Sequence, residues 1–266
     1  MTVKEVTDIL EQAAPLSWAE DFDNVGLLIG DKNMEVSGVL VSLDCLENVV
    51  QEAIEKQCNL IVSFHPIIFS GLKNITPSHY VDRALIKAIK YNIAIYSMHT
   101  ALDNAAKGVS YEMGKKLGIE NMKPLLPNPK LLPKDPDGLL GMGRIGTLKT
   151  PVSEEDFMNM LQKTFGTPHL KHSAFLKKTI TKVALLGGSG AFGIDAALLA
   201  GADVYVTADL KYHDYFKADH HLLLVDIGHY ESEQFTKNIL VRILTKKIAN
   251  FAISLSESNT NPIKYY

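Results

Sequence analysis

Short apolar runs alternate with segments of helical spacing along the first half of the chain. Strands are predicted at VSGVLVSLD, CNLIVSFHP and IAIYSMHT, which are residues 36–44, 58–66 and 93–100. Helices are predicted from apolar spacing at LENVVQEAIEKQ, VDRALIKAIK and residues 108–117. Strands that alternate with helices in this way predict a parallel sheet covered on both faces.

The same alternation returns after a proline-rich break. Residues 121–151 contain six of the 11 prolines, namely Pro124, Pro127, Pro129, Pro133, Pro136 and Pro151. This stretch is predicted to be an interdomain connection, with a short strand in GMGRIGTLK. Beyond it, strands are predicted at TKVALLG, ADVYVTAD, HLLLVDIGH and NFAISLS, with helices at SEEDFMNMLQKTF, AFGIDAALLAG, KYHDYFKAD and 231–248. Ser153 is the predicted N-cap of the first of these helices, since Asp156 follows three residues later.

These elements predict an α/β protein of two tandem three-layer domains. The domains are placed at residues 1–125 and 126–266, with the C-terminal segment packing on the first. Hydrophobic residues at 46% and charged residues at 21% suffice for a globular core. The N-terminal MTVKEVTDILEQAAP is amphipathic and contains acids, unlike a signal peptide.

Charge and cysteine content narrow the function classes. The net charge of −3 gives no electrostatic case for nucleic-acid binding. Cys45 and Cys58 are too few for a disulfide framework, which fits a reducing cytoplasm. No apolar run approaches the ~20 residues that cross a bilayer, so no membrane association is expected.

Reactive side chains cluster at the predicted strand ends. Asp44, His65 and His99 end the first three strands, with Asp103 four residues after His99; Asp209, Lys211, His213 and His229 follow later strands. The carboxyl ends of parallel strands share one sheet edge, where ligands bind. Imidazoles and carboxylates together favour a metal site for Zn, Mn, Fe or Ni. Each residue taken singly also has a structural explanation: His65 could form a turn, His99 could be a hydrogen-bonded core residue, and Asp103 could be a helix N-cap.

The stretch LLLVDIGHYESEQF, residues 222–235, shows this pattern most densely. A buried strand runs into Asp226, and His229 and Glu233 lie four residues apart. If a helix begins near Tyr230, they share one face and could hold a divalent metal. The alternative is an ordinary helix start with acids near the positive end of the macrodipole.

GSGAFG, residues 188–193, offers a competing interpretation. It matches G-x-G-x-x-G between a predicted strand and a helix, and Asp209 follows Gly188 by 21 residues, near the spacing of a ribose-binding acid. A dinucleotide site is therefore the lesser alternative. The glycines also suit a helix that starts close to the sheet.

Five motifs together resemble one protein family. WAEDFDNVGLLIG, SFHPIIFSGLKNI, SMHTALDNAAKGV, GADVYVTADLKYHD and DIGHYESE occur in the order and spacing of the Nif-three-like family, the GTP cyclohydrolase 1 type 2 homologues. The resemblance covers nearly the whole chain. It implies two α/β domains, a dinuclear metal centre in the cleft between them, and assembly into a ring-shaped hexamer.

The resemblance also implies the metal ligands. His65 matches the second histidine of the family's H-H-P motif, and Asp103 the aspartate of H-T-x-x-D. His229 and Glu233 match the histidine and glutamate of G-H-x-x-x-E, whose glutamate bridges both metals. Phe64 replaces the first histidine of H-H-P, so the second metal is expected to bind more weakly.

Two further departures from the family pattern are small. Ala208 replaces the glycine of T-G-D-x-K-Y-H. The proline-rich segment stands where many relatives carry a middle domain, so this chain is the short form. One or two divalent ions per subunit are expected.

The expected activity is metal-dependent hydrolysis of a nucleotide-like or other small phosphorylated substrate. His99 and His213 are candidates for general acid or base, and Lys211 for contact with a substrate anion. The alternative is a non-enzymatic hexameric scaffold that binds metal and interacts with protein or DNA. The motifs specify a metal site but no guanine pocket.

Overall fold

The computed structural model describes residues 1–131, 135–248 and 251–266. Its helices are α1 Val3–Ala13, α2 Glu47–Glu55, α3 Tyr80–Lys90, α4 His99–Asp103, α5 Val109–Lys116, α6 Glu154–Phe165, α7 Ile194–Leu199, α8 His229–Glu233 and α9 Thr236–Lys247. Its strands are β1 Gly26–Ile29, β2 Val39–Ser42, β3 Leu60–Ser63, β4 Ala94–Ser97, β5 Ile119–Lys123, β6 Leu126–Pro127, β7 Gly141–Met142, β8 Arg144–Ser153, β9 Lys171–His172, β10 Thr179–Ser189, β11 Val204–Ala208, β12 Leu223–Asp226 and β13 Ile253–Leu255. The α/β class predicted from the sequence is confirmed.

The chain divides into two compact units. Unit 1 contains Met1–Leu102 and Phe235–Lys264, and unit 2 contains Asp103–Gln234 with Tyr265–Tyr266. This division differs from the boundary expected near residue 125, because α5 packs against β10 and β5 of unit 2. The C-terminal strand β13 belongs to unit 1, where it pairs with β2.

Unit 1 is built on a five-stranded sheet in the order β1-β4-β3-β2-β13. The four strands β4, β3, β2 and β13 are parallel, and β1 is an antiparallel edge strand. The strands β2, β3 and β4 are buried at every residue, as expected for a sheet covered on both faces. The apolar core includes Leu40, Val50, Ile61, Leu85 and Ile95, from the sheet and the helices α2 and α3.

Unit 2 contains a mixed six-stranded sheet in the order β5-β8-β10-β11-β12-β9. Only β10, β11 and β12 are parallel; β5, β8 and β9 pair antiparallel with their neighbours. The second sheet is therefore mixed, with its parallel strands at its centre. The strands β6 and β7 form a separate two-stranded ribbon.

The proline-rich region is part of this sheet rather than a connection alone. The ten-residue β8 pairs with β10 on one side and β5 on the other. Its hydrogen bonds account for backbone groups that a linker would leave to solvent, which is why the short predicted strand extends to Ser153. Pro133 lies outside the described residues.

Several helix predictions are confirmed at their ends and two are corrected. The Ser153 side chain accepts a hydrogen bond from the Asp156 backbone at 3.0 Å and caps α6 as predicted. The helix expected over 231–248 is instead two helices, α8 and α9, because Asn238 bonds Phe235 in a tight turn at the break. Asp103 lies at the end of α4, so it is not an N-cap. Asn250, at the start of the predicted last strand, lies outside the described residues.

No helix within the described residues is both long enough and apolar enough to cross a membrane.

Candidate metal centre

Three chemically active residues of unit 1 occupy equivalent places after neighbouring strands. The parallel registers pair Ser42 with Ser63 and Ser63 with Ser97, the last residues of β2, β3 and β4. Asp44, His65 and His99 each follow two residues later. The register therefore places all three at one sheet edge, as the sequence pattern predicts.

His65 is held by a carboxylate that is itself held by the C-terminal segment. Its Nδ1 lies 2.8 Å from Oδ1 of Asp44, and the Thr260 hydroxyl donates to Oδ2 of Asp44 at 2.5 Å. The Ser63 hydroxyl also donates to the His65 carbonyl at 2.8 Å. A carboxylate on Nδ1 fixes the ring so that Nε2 can serve as a metal ligand.

The His99 imidazole is also held by an aspartate, and this aspartate is more deeply buried than Asp44. Its Nδ1 lies 2.8 Å from Oδ1 of Asp23, whose side chain has no exposed surface. Oδ2 of Asp23 accepts two more bonds, from the backbone and hydroxyl of Thr100. Burial by itself would raise the pKa of Asp23, but the bonds from His99 and Thr100 outweigh it and lower that pKa.

Phe64 lies beneath both imidazoles. Its side chain is fully buried, with ring centroids 4.9 Å from His65 and 5.5 Å from His99. The two imidazole centroids are 5.3 Å apart. Phe64 thus fills space by packing where related motifs carry a histidine, and offers no ligand atom.

In unit 2, His229 and Glu233 share one face of α8. Nε2 of His229 lies 3.0 Å from Oε2 of Glu233, as the four-residue spacing predicts. Gly228, at φ +90°, lets the chain turn from β12 into this helix. The Glu233 side chain is 4% exposed, so its negative charge is largely removed from water.

Asp209 completes this arrangement from the neighbouring strand. Its Oδ2 lies 2.7 Å from Nδ1 of His229, because β11 and β12 are parallel neighbours. Burial favours the neutral imidazole, but hydrogen bonds to Asp209 and Glu233 outweigh it and raise the pKa of His229 to about 11. The bond to His229 in turn lowers the pKa of Asp209. The two carboxylates therefore favour the protonated form of His229 when no metal is bound.

The glycines of GSGAFG have structural explanations. A Cβ on Gly188, which has φ +70°, would lie 2.4 Å from Oε1 of Glu233. A Cβ on Gly190 or Gly193 would collide with the hydroxyl of Tyr205. Their backbone N–H groups are also used internally, by the Ser232 hydroxyl, the Ala208 carbonyl and the Gly190 carbonyl respectively. These bonds leave the loop poorly suited to a pyrophosphate.

The side-chain nitrogen and oxygen atoms on this face of α8 are of the types that bind a divalent metal. His229 and Glu233 belong to a group of imidazole and carboxylate side chains whose ligand atoms could hold a metal ion. An imidazole nitrogen oriented through Nδ1 by a second carboxylate is the usual form of a histidine ligand. The space that Gly188 leaves for the Glu233 carboxylate is the structural feature of unit 2 that supports this fit.

Asp103 lies at the end of α4, next to a segment anchored by a buried arginine. Arg144 is 2% exposed, and burial lowers its pKa to about 10 although Asp135 and Asp103 act in the opposite direction. Its guanidinium donates to the backbone carbonyls of Ala105, Ala106, Leu139, Gly141 and Gly143. Arg144 therefore fixes the backbone just after Asp103.

The remaining candidates, Lys211 and His213, lie on the surface of unit 2. Both are exposed, at the start of a 3-10 helix over Tyr212–Ala218. The His213 ring contacts Tyr212 at 5.2 Å and Phe216 at 6.0 Å between centroids. The structure gives neither side chain a contact with His229 or Glu233, so their predicted roles stay predictions.

Five residues with clear supporting contacts were not assigned to the metal site from the sequence. Asp44 was noticed only as a strand-end acid, and Asp209 as a strand-end acid or a ribose-binding acid. Asp23, Thr260 and Arg144 carried no recognised signal. Asp23 lies within the quoted WAEDFDNVGLLIG motif, so a polar residue in that motif was the available hint. Thr260 and Asp44 are 216 residues apart, which no local pattern could connect.

The fold and these oriented imidazoles define an α/β protein with a candidate divalent-metal site. The Duf34/NIF3 (NGG1p interacting factor 3) family model matches residues 1–262. The chain belongs to this family, and the resemblance inferred from its motifs is confirmed.

Known relatives match along the whole chain. The GTP cyclohydrolase 1 type 2 homolog of Clostridium acetobutylicum is 32% identical, with 100% of this chain and 99% of that protein covered. The crystal structure of Staphylococcus aureus protein SA1388 has a TM-score of 0.91 at 30% identity, covering 100% and 99%. A Staphylococcus epidermidis homolog is 28% identical with both proteins fully covered, over 367 aligned positions. Because this chain has 266 residues, that relative contains residues without a counterpart here, as expected for the short form.

Proposed function

We propose that the protein is a metal-dependent hydrolase of a nucleotide-like or other small phosphorylated substrate. His65, Asp103, His229 and Glu233 are the proposed ligands of one or two divalent ions, with Zn, Mn, Fe and Ni as the candidates. The name of the relatives, GTP cyclohydrolase 1 type 2 homolog, is consistent with a nucleotide substrate.

The observation that carries the proposal is the environment of His229. A buried carboxylate lies at Nε2 and a second carboxylate holds Nδ1, an arrangement that concentrates negative charge around one imidazole. Such a group is costly to bury without a cation. The proton on His229 supplies that cation in the metal-free protein, and a divalent ion would replace it.

His65 is the proposed third ligand, because it matches the second histidine of the family's H-H-P motif. Its Nδ1 is held by Asp44 in the same way that Asp209 holds His229, so each imidazole is presented through Nε2. Phe64 supplies no further nitrogen. One tight ion and a second, weaker one are therefore proposed.

A divalent ion at this site would supply a Lewis acid that makes water a stronger nucleophile near neutral pH. His99, held by Asp23, is the proposed proton carrier, because its fixed ring can accept a proton at Nε2 and return it. Lys211 is the proposed contact for the substrate anion, and His213 a second proton carrier. A homohexamer, the assembly that the sequence motifs suggest, is proposed as the working form.

Metal content tests the ligand assignment directly. Elemental analysis of the purified wild type is expected to show at least one tightly bound ion per chain, and Glu233→Gln is expected to lose most of it. Glu155→Gln, which changes an exposed carboxylate on α6, is the matched control and should retain wild-type metal. Equal metal in wild type and Glu233→Gln would refute the assignment of Glu233.

Activity of the metal-loaded protein is measured next, against a panel of nucleotides and sugar phosphates. Release of phosphate or ring-opened product by wild type, and its loss in Glu233→Gln, supports the hydrolase. Tightly bound metal with no turnover on the panel would favour the scaffold instead. Light scattering after size exclusion tests the hexamer against the 29.3 kDa of one chain.

A further inference from the structure

A pair of exposed phenylalanines reaches the His99 imidazole of unit 1 through one of its two rings. Phe22 is 66% exposed and Phe69 is 51% exposed. Their ring centroids are 6.4 Å apart at an interplanar angle of 53°, and the Phe69 centroid lies 6.3 Å from that of His99 at 77°. Exposing two large aromatic side chains in contact forgoes the free energy that their burial would contribute to folding.

The loops that carry these rings are fixed by polar contacts. Asp23, next to Phe22, holds both His99 and Thr100. The side-chain amide of Asn24 donates to the Ile68 carbonyl at 2.6 Å, which joins the backbone beside Phe22 to the backbone beside Phe69. The two rings are thus tied to each other and to His99 through residues one or two positions away in sequence.

The exposed rings continue a series that reaches a proposed metal ligand. Phe69 contacts His99, and His99 contacts His65 with centroids 5.3 Å apart. Phe64 supports both imidazoles from the buried side. A planar molecule lying against Phe22 and Phe69 would therefore have one end close to the proposed proton carrier.

We propose that Phe22 and Phe69 bind the planar ring of the substrate, an aromatic heterocycle of nucleobase size. This proposal rests on the proposed function and specifies its substrate class. Aromatic side chains bind heterocycles through their π faces and edges without requiring a particular pattern of hydrogen bonds. The ring would be held at the phenylalanines while its anionic substituent extends toward the metal ligands.

A second copy of this chain is the main rival occupant of the same surface. Leu72 and Ile75, in the same loop as Phe69, are also exposed. The ring is favoured because Phe69 contacts the His99 imidazole and Phe22 contacts Phe69, which forms an aromatic surface that reaches the proposed proton carrier. The experiment therefore measures ligand preference and oligomeric mass on the same samples.

The test compares ligands that share a phosphate but differ in the ring. The full-length, metal-loaded protein is titrated by calorimetry with GMP, AMP and ribose 5-phosphate. Wild type is expected to bind the nucleotides about tenfold more tightly than ribose 5-phosphate, the size of one base–aromatic contact. Phe22→Ala and Phe69→Ala should each reduce this ratio toward one, and Phe69→Tyr should preserve it.

Phe175→Ala is the matched control. Phe175 is an exposed phenylalanine stacked on His172 in unit 2, with centroids 4.7 Å apart, so it reproduces an exposed Phe–His contact away from the Phe22 pair. Its replacement should leave the nucleotide ratio unchanged. Thermal melting of each variant verifies that it is folded, and metal content verifies the site.

Two results would refute the proposed role of Phe22 and Phe69 and leave the proposed hydrolase function intact. One is equal binding of nucleotides and ribose 5-phosphate by wild type with its metal retained. The other is a ratio that survives both alanine variants, especially if their oligomeric mass falls, which would make the pair a contact between copies. Wild-type protein that takes up no metal would instead refute the proposed function and this proposal with it.

Discussion

The His99 region of unit 1 and the His229 region of unit 2 each contain an aspartate–histidine pair, but the two pairs differ in burial. In each, an aspartate holds Nδ1 of a histidine, at 2.8 Å for Asp23 and 2.7 Å for Asp209. The Asp23 side chain is fully buried, whereas that of Asp209 is 45% exposed. The same contact therefore supports structure in the first region and raises the pKa of a proposed metal ligand in the second.

The difference arises from what else each carboxylate binds. Asp23 accepts two further bonds from Thr100, so it also fixes the start of α4. Asp209 lies outside the core, and the strong pKa shift of its histidine depends on a third group, Glu233, at Nε2. The effect of an aspartate–histidine contact thus depends on how many further buried hydrogen bonds the aspartate accepts.

The largest effect is expected from replacing Asp23. The two carboxylate oxygens of Asp23 accept from three donor groups, whereas Asn has only one acceptor oxygen. Asp23→Asn should therefore lower the free energy of unfolding by about 3 kcal/mol. Chemical denaturation of the metal-free protein measures it.

The matched variant is Asp209→Asn. Its amide oxygen can still accept from His229, so a loss below about 1 kcal/mol is expected, together with a roughly 10- to 100-fold weaker metal affinity. If both variants lost equal stability, the contrast between the two regions would be wrong.

Replacing Gly188 should produce the next largest effect. Gly188→Ala adds a Cβ about where the Glu233 carboxylate lies and forces Ala into φ +70°. We expect a loss of about 2 kcal/mol in unfolding free energy and reduced metal content. Gly166 has a similar positive φ of +65°, but the space around its Cβ position is open. Gly166→Ala therefore controls for backbone strain alone. Equal metal loss in both variants would contradict the steric explanation.

The pH dependence of the metal-free protein should distinguish the two regions further. The pKa of His229 is raised from 6.5 to about 11, so its stabilising contribution is complete below pH 6.5 and is lost as pH rises toward 11. Because the ring is one-third exposed, we expect on the order of 1 kcal/mol after solvent screening. Denaturation in chelator from pH 6 to 11 should show this decline in wild type.

The control for this decline is Glu233→Gln, which removes one of the two carboxylates that raise the pKa of His229. The loss of stability should then still begin near pH 6.5 but end at a lower pH, and it should be smaller. An identical pH profile for wild type and Glu233→Gln would show that His229 does not cause the decline.

The smallest effect is expected at Thr260, which acts on His65 only through Asp44. Thr260→Val should weaken metal affinity by on the order of tenfold or less, with Thr260→Ser restoring it. Competition with a metal-binding dye measures the affinity. Failure of the serine variant to restore affinity would indicate a packing role for Thr260 instead of the hydroxyl contact.

Local spacing predicted those parts of the site that depend on the chain alone. His229 and Glu233 meet because four residues make one helical turn, and Asp44, His65 and His99 align because parallel strands share an edge. The order of β2, α2, β3, α3 and β4 in unit 1 followed from the same periodicities, whereas β1 was not predicted. The mixed sheet of unit 2 did not follow from them, because the proline-rich stretch predicted a connection with only a short strand, whereas β8 is long and pairs antiparallel on both sides.

The sequence by itself determined the α/β class, the alternation of elements, the family and the placement of imidazoles at strand ends. Only the tertiary structure decided which carboxylate orients which imidazole, how Arg144 anchors the segment after Asp103, and why Gly188 must lack a side chain. The reason is physical: helical and strand periodicities act over a few residues, whereas hydrogen bonds such as Thr260 to Asp44 join atoms that are distant in sequence and meet only when the chain is folded.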